Sequence, residues 1–257
     1  MKTPVLIPAY NAERHIQRTL GGISEELEPI VLANGCEDST AELAREMGAT
    51  VVEIEEAGKM PALQTGVRLL GERALEPILA IDADSRPDFP RNFAQGMKKA
   101  LTHPEVGVVT GPYRYVNRKG HPTNTIRAGK AYTRNMFANH SGKNYACGRN
   151  MGFYFRTTET RDAFLELPNY WPGEDKAIAD TIVDMGGKHV YCLDPRTVVS
   201  TSDETQIPLL QRVCLQFSPE QRHKILLERY VSRGPADSRP YLGRESRAAQ
   251  SSQVFAK

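Results

Sequence analysis

The chain has 257 residues, with 33 Lys and Arg against 31 Asp and Glu, a formal net charge of +2 and a pI near 8.3. At 40% apolar and 25% charged residues it shows ordinary globular usage, which excludes a disordered or collagen-like chain. The near-neutral balance also argues against bulk nucleic-acid binding, where a pI above about 9 and clustered basic residues are expected.

Residues 4–8 predict a strand and 12–23 a helix, with Ile16, Leu20 and Ile23 on one face. A second strand is expected over 29–33. Ser39 or Thr40 caps the next helix, which runs to Met47 and stops at Gly48. A third strand follows over 50–54, a helix over 61–70, and a fourth strand, apolar on both faces, over 77–81. A helix over 89–101 and a strand over 106–111 complete this stretch. Short apolar runs alternating with helix-period segments are the pattern of a parallel α/β sheet.

Beyond Gly111 the alternation weakens. Residues 113–145 are rich in polar, basic and aromatic side chains, among them Arg114, Arg118, Lys119, Arg127, Lys130 and Arg134. A helix over 176–185 ends at Gly186 and Gly187 and leads into a strand over 189–193. The last helical stretch, 219–231, sets Arg222, Lys224 and Arg229 beside Ile225, Leu226, Leu227 and Val231. It fits a membrane surface, a partner helix or a helix packed on the protein's own body. The Gly/Ser/Arg-rich tail after it is expected to be mobile.

No run approaches the roughly 20 apolar residues of a membrane-spanning helix, and no signal-peptide layout follows Met1. Four scattered cysteines (Cys36, Cys147, Cys192 and Cys214) include no CxxC pair, so structural zinc and a disulfide framework are both unexpected. The expected compartment is a reducing cytoplasm, with peripheral membrane contact only if 219–231 supplies it.

The strongest local signal is Ile78-Leu79-Ala80-Ile81-Asp82-Ala83-Asp84. An apolar strand ending in two carboxylates places both at the carboxyl edge of a sheet, where open α/β folds bind ligands. Hard oxygen ligands there suit Mg²⁺ or Mn²⁺ bridging a diphosphate. The alternative is that one carboxylate caps the following turn and the other is solvated.

Other segments stand in a fixed order around this motif. Before it come Val5-Leu6-Ile7-Pro8-Ala9-Tyr10-Asn11-Ala12-Glu13, then Asn34-Gly35-Cys36-Glu37-Asp38-Ser39-Thr40, then Gly58-Lys59 with Ala62-Leu63-Gln64-Thr65-Gly66. After it come Cys147-Gly148-Arg149-Asn150-Met151-Gly152-Phe153 and Trp171-Pro172-Gly173-Glu174-Asp175. Together, over roughly residues 3–201, these resemble the inverting family 2 glycosyltransferases. The resemblance implies a GT-A-like α/β fold: a mostly parallel central sheet flanked by helices, with a Rossmann-like nucleotide half joined to an acceptor half. It divides the chain into a sugar-nucleotide half over 1–110, an acceptor-binding and catalytic half of the same domain over 111–205, and a C-terminal helix and tail over 206–257. It also implies a nucleoside-diphosphate sugar as donor, a UDP-sugar first, with Mn²⁺ or Mg²⁺ as cofactor.

Carried onto this sequence, the resemblance assigns Pro8, Ala9, Tyr10, Asn11 and Glu13 to the first nucleotide loop, where main chain and a flat ring can cradle a base. A plain turn around Asn11 is the alternative. Asn34 stands where the family often has an Asp that accepts from the base edge; an asparagine both donates and accepts, which leaves the base open. Asp38 either contacts the nucleotide or caps the next helix. Lys59 either offsets donor phosphate charge or is a solvated loop cation. Asp82, Ala83 and Asp84 take the donor side, with Asp84 and Asp82 as metal ligands, and Arg149 and Asn150 line the donor sugar.

Asp175 is the candidate general base, with Glu174 as the second choice, because an inverting transfer needs one carboxylate to take the acceptor proton. Both could instead sit at a helix N-terminus for its dipole. Trp171 and Gly173 belong to the acceptor side, Trp171 as a stacking platform. Two departures matter. Ser200-Thr201-Ser202 stands where the family often has a metal-binding His, and the Gln-x-x-Arg-Trp motif of processive synthases is missing, since Gln211-Arg212-Val213 does not continue that way. The expected enzyme therefore adds one sugar to an unidentified acceptor. Alternatives are a phosphatase-like hydrolase built on the two-aspartate motif, or a nucleotide-binding module without catalysis.

Overall fold

The computed structural model describes residues 2–202, apart from 118, 124, 126–128, 130–132, 134–145 and 170–172. Trp171 and the stretch 219–231 therefore lie outside the described residues, as does most of the basic region 113–145. Within the described residues the strands are β1 (Thr3–Ala9), β2 (Leu27–Asn34), β3 (Thr50–Ile54), β4 (Ile78–Ala80), β5 (Ser85–Pro87), β6 (Val106–Thr110), β7 (Tyr113–Val116), β8 (Pro122–Thr123), β9 (Met151–Phe153), β10 (Lys188–Tyr191) and β11 (Val199–Ser202). The helices are α1 (Ile16–Leu20), α2 (Thr40–Glu46), α3 (Lys59–Leu70), α4 (Pro90–Leu101), α5 (Thr158–Leu165) and α6 (Glu174–Asp184).

Seven strands form the main sheet in the order β10-β6-β9-β4-β1-β2-β3. Every neighbouring pair is parallel except those made by β9, which runs antiparallel to both β4 and β6. All seven residues of β1 are buried, as a strand covered on both faces requires. Its side chains alternate between two cores. Leu6 joins Leu32, Leu63, Val67, Phe153, Phe164 and Ile178 on the face of α3, α5 and α6. Val5 and Ile7 join Ile16, Leu20, Val31, Phe93, Met97 and Leu101 on the face of α1 and α4. A second sheet, β5-β11-β7-β8, stands beside the carboxyl end of β4.

The expected α/β alternation over the first hundred residues is present, with local differences. The first helix is the short α1 rather than 12–23. Its leading amides are drawn into the neighbouring loop: the Ala12 N–H donates to Thr40 Oγ1 (2.7 Å) and the Glu13 N–H to Asp38 Oδ2 (3.0 Å). Gly21 and Gly22 then end it. The helix expected from residue 61 starts at Lys59 instead, since a proline in the first turn gives up no helical hydrogen bond. α6 begins two residues before the expected 176, which puts Glu174 and Asp175 in its first turn.

Strand β9 was not expected from the sequence. Three residues long, it enters the middle of the sheet between β4 and β6. Gly152 makes this fit, because a Cβ there would press on Leu101 and Leu79. The segment after residue 111 thus contributes a central strand, and the two halves interleave in one sheet.

Candidate active site

The carboxyl ends of β1, β2 and β4 bring the first loop, the Asn34 segment and the Asp82/Asp84 pair to one edge. At the end of β1, Asn11 adopts a left-handed conformation (φ 45°), and its Oδ1 accepts the Glu37 N–H at 2.9 Å. That bond joins the first loop to the second and compensates a backbone state that non-glycine residues rarely adopt. Asp38 strengthens the same joint. Its Oδ2 accepts the Glu13 N–H, while its Oδ1 accepts the Thr40 N–H (3.1 Å) and the Thr40 hydroxyl. Asp38 thus ties the first loop to the opening of α2, while Ser39 at the N-cap position makes no side-chain cap bond. Glu13 Oε2 faces the Ser39 N–H at 3.5 Å. Pro8 and Ala9 are buried in β1, and Tyr10 is half-buried, its phenol pushed up by burial and then by Glu37.

Asn34 differs most from its expected role as a reader of the base edge. It is 1% exposed. Its Nδ2 donates to the Ala9 carbonyl (2.9 Å) and the Leu32 carbonyl (3.1 Å), and its Oδ1 accepts the Gly58 N–H (2.9 Å). Both donors and the acceptor serve the protein's own backbone. Asn34 therefore ties the ends of β1 and β2 to the start of α3, and so to Lys59.

Lys59 is the centre of the site. Its Nζ lies 2.6 Å from Asp82 Oδ1, 3.1 Å from Asp175 Oδ1 and 3.6 Å from Glu174 Oε1. One side chain from α3 thus gathers the strand-end aspartate and both carboxylates that open α6. Burial works against the ammonium charge, yet Asp175, Asp82 and Glu174 together hold Lys59 protonated well above the ordinary lysine range. Burial would also raise Asp82, but Lys59 and Arg149 outweigh it and keep its carboxyl below the usual aspartate value. Glu174 goes the other way, pushed up by burial and then by the Asp175 charge, with Lys59 and the Gly173 N–H only partly offsetting them.

The two α6 carboxylates differ in how far they are committed. Glu174 is 11% exposed at its side chain, with Oε2 accepting the Gly173 N–H (2.9 Å) and Oε1 facing Lys59. Asp175 keeps 24% of its side chain exposed, so a ligand can reach it. Gly173, with φ 141°, makes the turn into α6.

The Gly/Asn segment closes over this group. A Cβ at Gly148 would overlap both Asp175 Oδ1 and Lys59 Nζ, so the backbone there passes close to both charged tips. Arg149 places its guanidinium 5.3 Å and 5.7 Å from the ring centres of Tyr113 and Tyr115. Burial opposes its charge, while Cys147, Tyr115 and Asp82 hold it up. Asn150 is fully buried, donating to the Pro112 carbonyl (2.9 Å) and the Thr197 carbonyl (2.8 Å), so it braces β7 and β11. The aromatic pair under Arg149 was missed from the sequence. Its only signal is the period-two spacing of Tyr113 and Tyr115.

Asp84 points its Oδ1 toward the Thr201 hydroxyl (3.2 Å), which comes from β11. Among the described residues no three His, Cys, Asp or Glu side chains form a metal-holding group. Asp82 and Asp84 nonetheless carry hard oxygens at a strand end, with Asp175 and Glu174 beside Asp82 across Lys59, and this donor set fits Mg²⁺ or Mn²⁺. Cys36, Cys147 and Cys192 are free thiols.

A family model described as glycosyltransferase like family 2 matches residues 2–215. Among solved structures, the chain is similar to a mannosyltransferase from Pyrobaculum calidifontis in complex with GDP-Man and Mn²⁺. The TM-score is 0.60 at 20% identity, covering 93% of this chain and 66% of that one. It is also similar to glucosyl-3-phosphoglycerate synthase from Mycobacterium tuberculosis. With Mn²⁺, UDP and glucosyl-3-phosphoglycerate bound, that structure gives a TM-score of 0.56 at 20% identity and coverages of 89% and 79%. Bound to Mn²⁺, UDP-Glc and glycerol 3-phosphate, the synthase gives 0.54 at 21% identity and the same coverages. No curated protein matches. At these identities the structural likeness shows the fold, and the family match, over most of the chain, shows the membership. The chain belongs to glycosyltransferase-like family 2, with the GT-A fold of the glycosyltransferases.

Proposed function

We propose that the protein moves one glycosyl group from a nucleoside-diphosphate sugar to an acceptor hydroxyl, with inversion at the anomeric carbon. The observation that carries this reading is the Lys59 junction, where a donor-side carboxylate (Asp82, 2.6 Å) and an acceptor-side carboxylate (Asp175, 3.1 Å) meet on one ammonium. In the step, Asp175 takes the proton of the acceptor hydroxyl while that oxygen forms a bond to the anomeric carbon. The bond from that carbon to the diphosphate oxygen breaks on the opposite face, and the nucleoside diphosphate departs with the electron pair. Lys59 and Arg149 offset charge on the departing diphosphate. Asp84, with Asp82, would hold a divalent cation, which when bound supplies further charge compensation to the leaving group.

Glu174, with both oxygens engaged, positions the turn into α6 rather than taking the proton. Tyr10 and the strapped loop around Asn11 are left to face the base, and a uridine nucleotide is the first expectation. The missing processive-synthase motif supports a single transfer. The family match favours this reading over a phosphatase-like hydrolase.

Asp175→Asn tests it. The variant keeps shape and hydrogen bonding but cannot accept a proton, so transfer should fall by about 10²–10⁴-fold, some 3–5 kcal/mol. Affinity for UDP with Mn²⁺, measured by calorimetry, should change by far less. The product anomer, read by proton NMR, should be inverted relative to the donor. Near wild-type transfer by Asp175→Asn, or a retained anomer, would overturn the assignment.

A further inference from the structure

Lys59 and a divalent cation would draw on the same carboxylate, that of Asp82. The ammonium lies 2.6 Å from Asp82 Oδ1 with only 13% of its side chain exposed, and its surroundings hold it there. Asn34 fixes the backbone at Gly58, one residue before it, through the Gly58 N–H (2.9 Å). On the opposite side the backbone at Gly148 passes close to Lys59 Nζ and Asp175 Oδ1. Lys59 cannot keep these contacts while a second cation takes Asp82, because like charges about 4 Å apart near a protein surface repel by enough to lower affinity more than tenfold. The same ammonium also holds Oδ1 (3.1 Å) of Asp175, the carboxylate that would take the acceptor proton.

We propose that Lys59 is an intramolecular competitor for Asp82, so that the divalent cation and the donor diphosphate enter as a pair. Phosphate oxygens offer the ammonium new anionic partners. Drawn to them, Lys59 releases Asp82 to the cation and Asp175 to the acceptor in one movement. Asp175 Oδ1 thereby loses its ammonium partner when a donor is present. This inference rests on the transferase reading above and adds a linkage that reading does not require.

The linkage is tested on the full chain by titrating MnCl₂ with and without saturating UDP, following free Mn²⁺ by electron paramagnetic resonance. In the wild type UDP should tighten Mn²⁺ binding strongly. Lys59→Met, which keeps the side-chain length without the charge, should bind Mn²⁺ in the absence of nucleotide at least about tenfold tighter than the wild type. UDP should then add correspondingly less. Lys59→Arg should restore the weak nucleotide-free binding, which a purely structural role for the side chain would not produce. Lys59→Gln serves in parallel, with melting curves confirming the fold, in case the methionine leaves the carboxylates too exposed to one another. Equal or weaker nucleotide-free Mn²⁺ binding in both neutral variants, beside a wild type that binds Mn²⁺ with UDP, overturns the competition and leaves the transferase reading intact. No Mn²⁺ binding by any form, with or without UDP, removes the metal assignment and this inference with it.

Discussion

Asn34 shows how one residue type can be read in two ways until its neighbours are known. At the end of a strand in the nucleotide half, an asparagine is a plausible reader of a base edge. In the fold its amide is spent on the Ala9 and Leu32 carbonyls, and its carbonyl on the Gly58 N–H. An aspartate there would set a carboxylate against two carbonyl oxygens in a site 1% exposed. Asn34→Asp should therefore cost roughly 3 kcal/mol of stability rather than exchange one base for another. Urea denaturation measures the first and calorimetry with UDP and GDP the second. A stable Asn34→Asp protein with a changed UDP-to-GDP preference would return this residue to the base pocket.

At the scale of elements, short range and long range divide the outcome. α5 is capped by Thr157, whose hydroxyl accepts the Thr160 N–H at 3.2 Å, a local signal present in the sequence. β9 and β11 have no such signal, because strands of three and four residues depend on their partners rather than on their own pattern. β10 carries a group the chemistry does not use. His189 stacks on Tyr191 (4.7 Å) and faces Thr110 Oγ1 (2.9 Å), and burial lowers its pKa from 6.5 to about 4, with Asp180 opposing. Between those values the unfolded chain binds a proton that the folded chain refuses. Its contribution is complete above pH 6.5 and is lost as pH falls toward 4, roughly 3 kcal/mol. Urea midpoints at pH 7 and pH 5 should separate less in His189→Gln than in the wild type. An unchanged acid loss would place that sensitivity elsewhere.

Across the whole molecule, the core that holds the sheet also holds the site. Phe153, Phe155 and Phe164 form a triangle with ring centres 5.2, 5.9 and 5.0 Å apart, linking the central β9 to α5. Gln64 on α3 donates to the carbonyls of Phe164, Leu165 and Leu167, so the helix that begins with Lys59 is moored to the same corner. Phe164→Ala removes a fully buried ring and should cost about 3–5 kcal/mol, a drop in Tm on the order of 10 °C. Nucleotide affinity in the folded fraction should fall as well, since α3 loses its mooring. Scanning calorimetry and UDP titration below the transition check both, and an unshifted Tm would contradict the packing described.

The sequence by itself determined the parallel α/β character of the first hundred residues and the strand-end position of Asp82 and Asp84. It also determined the family, through motifs whose order along the chain carries more information than any one of them. Those features rest on local periodicity and on residue types that a turn or a strand end demands. Only the tertiary structure decided that Asp82, Glu174 and Asp175 share one lysine, since 116 positions separate Lys59 from Asp175. It also decided that Asn34 and Asp38 spend their polar groups on the protein's own loops, while Asn150 gives its Nδ2 to two carbonyls and leaves its buried Oδ1 without a partner among the described residues. A side chain's donors and acceptors are inherent in its residue type, but which partners reach them first depends on burial. Burial is set by which strands pair across the sheet, and here the central place went to β9, three residues whose own sequence asks for nothing.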